Sequence, residues 1–146
     1  MIRKAKVSDI KDLNILLKEL FSQEKEFIYN KKLHSYALKK IITDKKIGKI
    51  FIYKDKDRVV GMLSLLFGIS TALGKKVALL EDMIVLKECR ESRVGSKLIE
   101  FALKYAKRKK IKRITLLSDA DNYIAHKFYK KFDFKKSTMV VFRRVV

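Results

Sequence analysis

Two groups of residues in this sequence have the types and spacing to do chemistry. The first is "CRESRVGSKL" at 89–98, where Arg90, Arg93, Gly95 and Ser96 stand between an apolar run and an amphipathic one. If these flanks are a strand and a helix, the segment carries the helix's first-turn amides, which have no intrahelical partners and sit at the positive end of the macrodipole. Gly95 permits close backbone approach, Ser96 adds a donor, and the two guanidiniums add charge with bidentate geometry. A turn of this kind binds phosphate, and a diphosphate would suit it. The alternative is an ordinary strand-to-helix turn with surface arginines. It is neither a Walker loop, because the Gly-Lys-Ser/Thr ending is absent, nor a dinucleotide fingerprint, because two of that motif's three glycines are missing. The second group is the Glu81–Asp82 pair inside the apolar run "LLEDMIVL". Desolvation raises the pKa of a carboxylate half-buried among apolar neighbours, which equips it to accept a proton. Strand alternation sends the two to opposite faces, so only one faces a cleft unless a bulge intervenes.

The elements that must position these residues follow from periodicity. At 146 residues and 48% hydrophobic, the chain fits one domain, 1–146, with a single core. "MIRKAKV" alternates as a half-buried strand. Ser8 and Asp9 offer an N-cap to a helix over 9–24, with Ile10, Leu13, Leu16, Leu17, Leu20 and Phe21 on one face. A second helix is expected from Leu33 to Thr43, with Leu33, Tyr36, Ala37, Lys40 and Ile41 along one side; "EKEFIYNKK" between the two is ambiguous. "KIFIYKD" and "VVGMLSLLFGIS" form a hairpin, and "VALLEDMIVL" extends it to an antiparallel meander. The helix from Val94 to Lys107 leads to the strand "RITLLSD", which makes a right-handed parallel crossover. A short helix covers Asn122 to Phe132, and "DFKKSTMVVFRRVV" closes the chain with one or two strands. The fold class is therefore mixed α/β: a mostly antiparallel twisted sheet of about six or seven strands, one parallel βαβ unit and about four helices.

Thirty-six Lys plus Arg against 16 Asp plus Glu give a formal charge of +20. Such a surface attracts polyanions. Lysine dominates and is spread along the whole chain, however, which points to generally solvated faces and to no specific nucleic-acid partner. No run nears the ~20 apolar residues of a membrane helix, and the N-terminus lacks a signal-peptide core, so a cytoplasmic location and no membrane partner are expected. The single cysteine, Cys89, excludes a disulfide framework and a multi-cysteine zinc site. His34 and His126 have no metal-ligand spacing, so no metal is expected. The basic run "KYAKRKKIKR" suits a solvated helix C-terminus.

The 89–98 segment resembles the acetyl-coenzyme A motif of the GCN5-related N-acetyltransferases, the GNAT superfamily. That motif runs Arg/Gln-x-x-Gly-x-Gly/Ala after a strand and opens a helix. Arg90 and Gly95 match its ends, and Arg93 stands where its first glycine is expected. "DNYIAHKFYKKFDF" is similar to the family's Asn-x-x-Ala-x-x-Phe-Tyr-x-x-x-Gly-Phe signature: Asn122, Ala125, Phe128, Tyr129 and Phe134 match, and Asp133 replaces the glycine at a turn where a left-handed residue fits. "LED" at 80–82 is similar to the spermidine/spermine acetyltransferase branch. The resemblance spans the chain and implies a GNAT-like fold and an acetyl-CoA-dependent N-acetyltransferase, acting by direct attack of a primary amine in a ternary complex.

It also implies roles. The amides of Arg90, Glu91, Ser92, Arg93, Val94, Gly95 and Ser96 would hold the coenzyme's diphosphate. Backbone groups of Met83, Ile84 and Val85 would bind the pantetheine arm as an added strand, and Asn122, Ala125 and Phe128 would lie along the coenzyme. Glu81 would be the general base; its alternatives are a structural ion pair or a substrate-binding group. Tyr129 would protonate the leaving sulfur, or else serve as a core aromatic of its helix. Asn122 could equally cap that helix. Phe21, Phe27, Tyr29 and Tyr36 could line an acceptor pocket or the core, and Glu24, Glu26, Glu81 and Asp82 could make the cleft acidic. The apolar terminal segment "MVVFRRVV" hints at a homodimer through strand pairing. The other reading is a non-catalytic nucleic-acid-binding or regulatory module on the same fold.

Overall fold

The computed structural model describes residues 1–146. The elements in chain order are β1 (Ile2–Lys4), α1 (Ile10–Gln23), α2 (Lys31–Thr43), β2 (Gly48–Asp55), β3 (Arg58–Ser70), β4 (Lys75–Val85), α3 (Val94–Arg108), β5 (Ile114–Leu116) and α4 (Tyr123–Lys130), with short 3-10 turns at Val7–Asp9 and Lys87–Cys89. The five strands form one sheet in the order β1-β2-β3-β4-β5. The first three pairings are antiparallel, and β4 pairs with β5 in parallel through the α3 crossover.

Side-chain alternation along β2 shows how the layers stack. Phe51 makes edge contacts with Phe101 and Tyr105 of α3, at ring separations of 5.2 and 5.1 Å. Gly48 faces the other way, where a Cβ would come within 3.3 Å of Ile41 on α2 and within 2.3 Å of the Leu65 carbonyl. So α3 covers one face, and α1 and α2 cover the other. The strongly twinned burial along β3, from Val59 to Leu65, follows from helices on both sides. Gly61 brings α3 close: a Cβ there would lie 3.0 Å from both Val94 and Leu98.

The start of α1 is fixed by a bidentate pair in which Arg3 donates to both oxygens of buried Asp9, at 2.8 and 2.9 Å. That hydrogen bond holds the Asp9 carboxyl below its ordinary pKa. Asn14 is the one buried amide of α1, and its side chain donates to the Ile10 carbonyl and to Ser35 Oγ, which ties α1 to α2.

Two expectations are corrected. On α2 the buried side carries His34, Ser35, Leu38, Ile41 and Ile42, whereas Leu33 and Tyr36 are exposed. The helix has apolar residues on two sides, and the aromatic contacts of His34 with Phe21 and Tyr29 decide which side turns inward. The sheet has five strands and not six or seven, because residues 135–146 form none. Their alternation is suited to a strand, but a strand also needs an edge to pair with, and β5 is only three residues long. Met139, Phe142 and Val145 are exposed, and the one hydrogen bond that ties this segment to the rest of the chain runs from Arg143 to Glu26. No helix is long and apolar enough to cross a membrane.

Candidate active site

The sheet itself makes the cleft. β4 and β5 pair only through Ala78–Leu80 and Ile114–Leu116. Past Leu80 the β4 strand runs on to Val85 without a partner on that side, while the chain after β5 turns away into the loop 117–122. The gap between them is a cavity of about 680 Å³. Glu81, Asp82, Met83 and Ile84 line one wall and Leu117, Ser118, Asp119 and Ala120 the other; Leu20 and Phe21 of α1, Phe27, and Tyr129 of α4 close the sides.

The carboxylate pair sits on a β-bulge. Ser64 of β3 pairs with Glu81 and Met62 pairs with Ile84, so Leu63 faces two residues, Asp82 and Met83. Asp82 takes the extra position with φ of +52°. The bulge cancels the alternation that would have sent Asp82 to the opposite face, and both carboxylates line the cavity. Glu81 is exposed, whereas Asp82 is largely enclosed. Ser64 Oγ lies 2.9 Å from the Glu81 carbonyl and 3.2 Å from Asp82 Oδ2, so it bridges the bulge. Burial, reinforced by the charges of Glu81 and Glu24, pushes the Asp82 carboxyl up to about 6 against the Ser64 hydrogen bond. Sequence reasoning passed over Ser64, although a lone polar residue in "VVGMLSLLFG" is a readable signal.

The loop 87–96 starts α3 with its donors free. Glu91 and Arg93 both take left-handed dihedrals, with φ of +65° and +63°. No backbone hydrogen bond in the chain has a donor from 91 to 96. Gly95 opens the turn: a Cβ there would meet Met83 Cε at 3.3 Å and the Phe128 ring at 3.4 Å. Arg93 points to solvent with only a 3.8 Å contact to Glu100. Arg90 does something else. Its Nε donates to the Val85 carbonyl at 3.0 Å and its guanidinium pairs with Glu19 at 2.9 Å, while its own amide bonds Lys87. Glu19 also accepts from the Lys87 amide, so Arg90 braces the loop against α1.

Tyr129 is packed between Phe128 and Phe134, at ring separations of 5.3 and 5.7 Å, and lines the cavity. Burial pushes its hydroxyl up to about 12, so it stays protonated at neutral pH. Asn122 caps α4, its side chain accepting from the Ala125 amide at 3.1 Å. The same residue lines the cavity, as does Ala125. Asp133 takes φ of +63°, the left-handed turn expected of it.

A model of the acetyltransferase (GNAT) family matches residues 14–134. The chain belongs to the GNAT acetyltransferase family. Among solved structures, this GNAT protein is similar to one described as a transcriptional regulator from Bacillus halodurans C-125, with 26% identity over 99% of each chain and a TM-score of 0.87. It is also similar in fold to a glucosamine-6-phosphate N-acetyltransferase from Arabidopsis thaliana, with 18% identity over 99% and 97% of the two chains and a TM-score of 0.78. An aminoglycoside 6'-N-acetyltransferase from Acinetobacter haemolyticus shares 21% identity over 100% and 98%, with a TM-score of 0.81. A comparison with curated proteins gave no match.

The two departures from the GNAT motifs have one physical explanation. Arg93 and Asp133 stand where the family pattern has glycine, and both adopt the positive φ that glycine takes without strain. Each turn holds a left-handed dihedral that a glycine would favour, and a charge is added at Arg93. The residues set aside on sequence grounds have local partners: His34 stacks among rings, and His126 Nε2 lies 2.9 Å from the Asp119 carbonyl. No group of three or more His, Cys, Asp or Glu side chains is placed to hold a metal ion. The basic run 104–113 covers the last residues of α3 and the segment after it, beginning about 12 Å of helix from Ser96.

Proposed function

We propose that residues 1–146 act as one N-acetyltransferase domain that moves an acetyl group from acetyl-CoA to a primary amine by direct attack in a ternary complex. The observation that carries the reading is the neighbourhood of two features along the splayed edge of β4: an undonated row of amides at 91–96, whose Gly95 packs against Met83 of the cavity wall, and the cavity itself, lined by both a proton-accepting carboxylate and a protonated tyrosine. The amides from Glu91 to Ser96 suit a diphosphate, Arg90 fixes the loop that presents them, and Gly95 keeps the approach open. The free edge of β4 through Met83, Ile84 and Val85 suits an extended pantetheine arm, flanked by Asn122, Ala125 and Phe128. The coenzyme supplies the activated acetyl group.

Within that cleft the proton accounting is simple. A carboxylate takes one proton from the substrate ammonium and passes it to solvent, which frees the nitrogen lone pair. Asp82 is suited to this, because its raised pKa makes it a stronger base than an ordinary carboxylate. Glu81 then contributes charge that attracts the ammonium. The second proton lost by the nitrogen is balanced by one gained by the departing sulfur, which the Tyr129 hydroxyl can donate before it is reprotonated.

An amine-panel assay that detects free thiol tests the reading. Turnover with at least one primary amine is expected, together with its loss in Asp82→Asn and Tyr129→Phe at nearly unchanged coenzyme affinity. No thiol release from any amine and no coenzyme binding would overturn it.

A second reading draws on the similarity to the protein described as a transcriptional regulator and on the +20 charge: a regulatory or nucleic-acid-binding module on the same fold. Melting temperature with added acetyl-CoA, run beside a DNA titration over salt, separates the two. Stabilisation by coenzyme with only steeply salt-dependent DNA binding favours the enzyme, and sequence-selective DNA binding without a coenzyme shift favours the regulator.

A further inference from the structure

We propose that the protein carries a second binding site, for a small phosphate monoester with an apolar body, in a pocket between the end of α3, the start of β5 and the turn after α4. This site is independent of the acetyltransferase reading and lies outside the cleft.

The pocket has a volume of about 440 Å³, within the range of small-molecule sites. It shares no lining residue with the cleft beside β4. Burial sorts its wall into two classes. Ala106 and Ile111 are buried, and Leu103, Ile114, Phe132 and Phe134 are half-buried against the core. The charged members are all exposed: Lys107, Lys110, Lys112, Arg113 and Lys135, with Asp133 as the one carboxylate. The inner wall is therefore apolar and the outer wall cationic. A concavity with one prevailing sign of charge over low-dielectric walls focuses its field on an anion. Phe132 and Phe134 also stack on Phe128 and Tyr129, at ring separations of 5.3 and 5.7 Å, so the pocket backs onto the rings that hold Tyr129.

The charges of the outer wall are free for a ligand. None of the five cations makes an ion pair within the chain. They are not needed to close α3 either, because the backbone does that. The amides of Lys109, Lys110 and Ile111 donate to the carbonyls of Tyr105, Lys107 and Ala106 at 3.0, 3.2 and 2.9 Å. Lys110 takes φ of +56° at this stop, where glycine is the usual residue, and so keeps a charge at the pocket. Five cations against one carboxylate leave a surplus of four positive charges. A phosphate monoester brings a charge of about −1.5 to −2 and three strong acceptor oxygens, so it engages several of these side chains at once. A carboxylate brings one charge and two oxygens. The ring or chain that carries the phosphate has the apolar inner wall to cover.

Calorimetry with phenyl phosphate, run at low salt with and without saturating acetyl-CoA, tests the site, and amide shift mapping places it. Phenyl phosphate should bind, with its largest shifts at residues 110–114 and 132–135. Inorganic phosphate lacks the ring and should bind about tenfold more weakly, and phenol lacks the charge and should not bind measurably. Lys112→Gln combined with Lys135→Gln should weaken phenyl phosphate about tenfold. Lys31→Gln combined with Lys32→Gln, exposed at the start of α2 on the other face of the sheet, should leave it within about twofold. Equal affinity for phenyl and inorganic phosphate, shifts spread evenly over the lysines, or equal losses in the two double variants would reduce the pocket to general surface charge and overturn the inference. Competition by acetyl-CoA would assign these cations to the coenzyme and overturn it as well. The acetyltransferase reading stands or falls separately, on turnover.

Discussion

Replacing Asp82 by asparagine removes a charge the fold pays to keep. The carboxyl is raised from 3.8 to about 6 in the folded protein. At 1.36 kcal/mol per unit, that shift corresponds to about 3 kcal/mol of native-state penalty once the group is ionised in both states. The sign is set by proton binding: the folded state holds this proton more tightly than the unfolded chain, so stability falls as pH rises through 3.8 and on past 6. By linkage about 1 kcal/mol of the penalty is present at pH 4.5, and about 2 more accumulate by pH 8. Asparagine keeps the Ser64 hydrogen bond but never ionises. Urea unfolding of both proteins at several pH values should therefore show the variant gaining about 2 kcal/mol on the wild type between pH 4.5 and 8. In the same variant kcat/KM at pH 7.5 should fall by about 10²- to 10⁴-fold, the range for loss of a general base. A stability difference that does not change with pH would refute the argument that burial and neighbouring charge define this group. Turnover unchanged in the variant would remove it from the chemistry.

Tyr129→Phe keeps the ring stack with Phe128 and Phe134 and deletes the proton; kcat should drop by about 10²-fold, with acetyl-CoA affinity nearly constant by calorimetry. Gly95→Val drives side-chain atoms into Met83 and Phe128, so about 1–3 kcal/mol of stability and at least tenfold in acetyl-CoA affinity should be lost, read by thermal melting and titration. Arg93→Gly relieves a left-handed arginine and should stabilise the fold by up to about 1 kcal/mol, while coenzyme affinity falls several-fold at low salt and less at high salt. Glu19→Ala removes the carboxylate that accepts from both Arg90 and the Lys87 amide, so the coenzyme KM should rise with kcat little changed in initial-rate assays.

The strand–turn–helix around 79–107 was legible because each signal is local. The apolar run, the single glycine and the amphipathic repeat lie within one stretch, and the structure forms β4, the loop and α3 there. Asn122 as a cap and Asp133 as a left-handed turn were readable for the same reason. The side chosen by Asp82 was not. It depends on Leu63 facing two residues across the ladder, a register decided between strands about 20 positions apart in sequence. The buried side of α2 was hidden because Leu33, Tyr36 and Ala37 compete with Leu38, Ile41 and Ile42, and only tertiary packing around His34 breaks the tie. The 139–146 alternation carries strand propensity without specifying an edge, and β5 offers too short a one. Arg143 reaches Glu26 across 117 positions, which no local pattern signals.

The central claim is that the free amides of 91–96 take the diphosphate of acetyl-CoA at the mouth of a cleft that holds Asp82 and Tyr129. Amide chemical-shift mapping on addition of acetyl-CoA tests it most directly. The largest shifts should fall on Glu91 to Ser96, with smaller ones at Met83–Val85 and near Asn122, and Gly95→Val should abolish them. Shifts confined to the basic end of α3 around Lys107–Arg113, or none at saturating coenzyme, would contradict it.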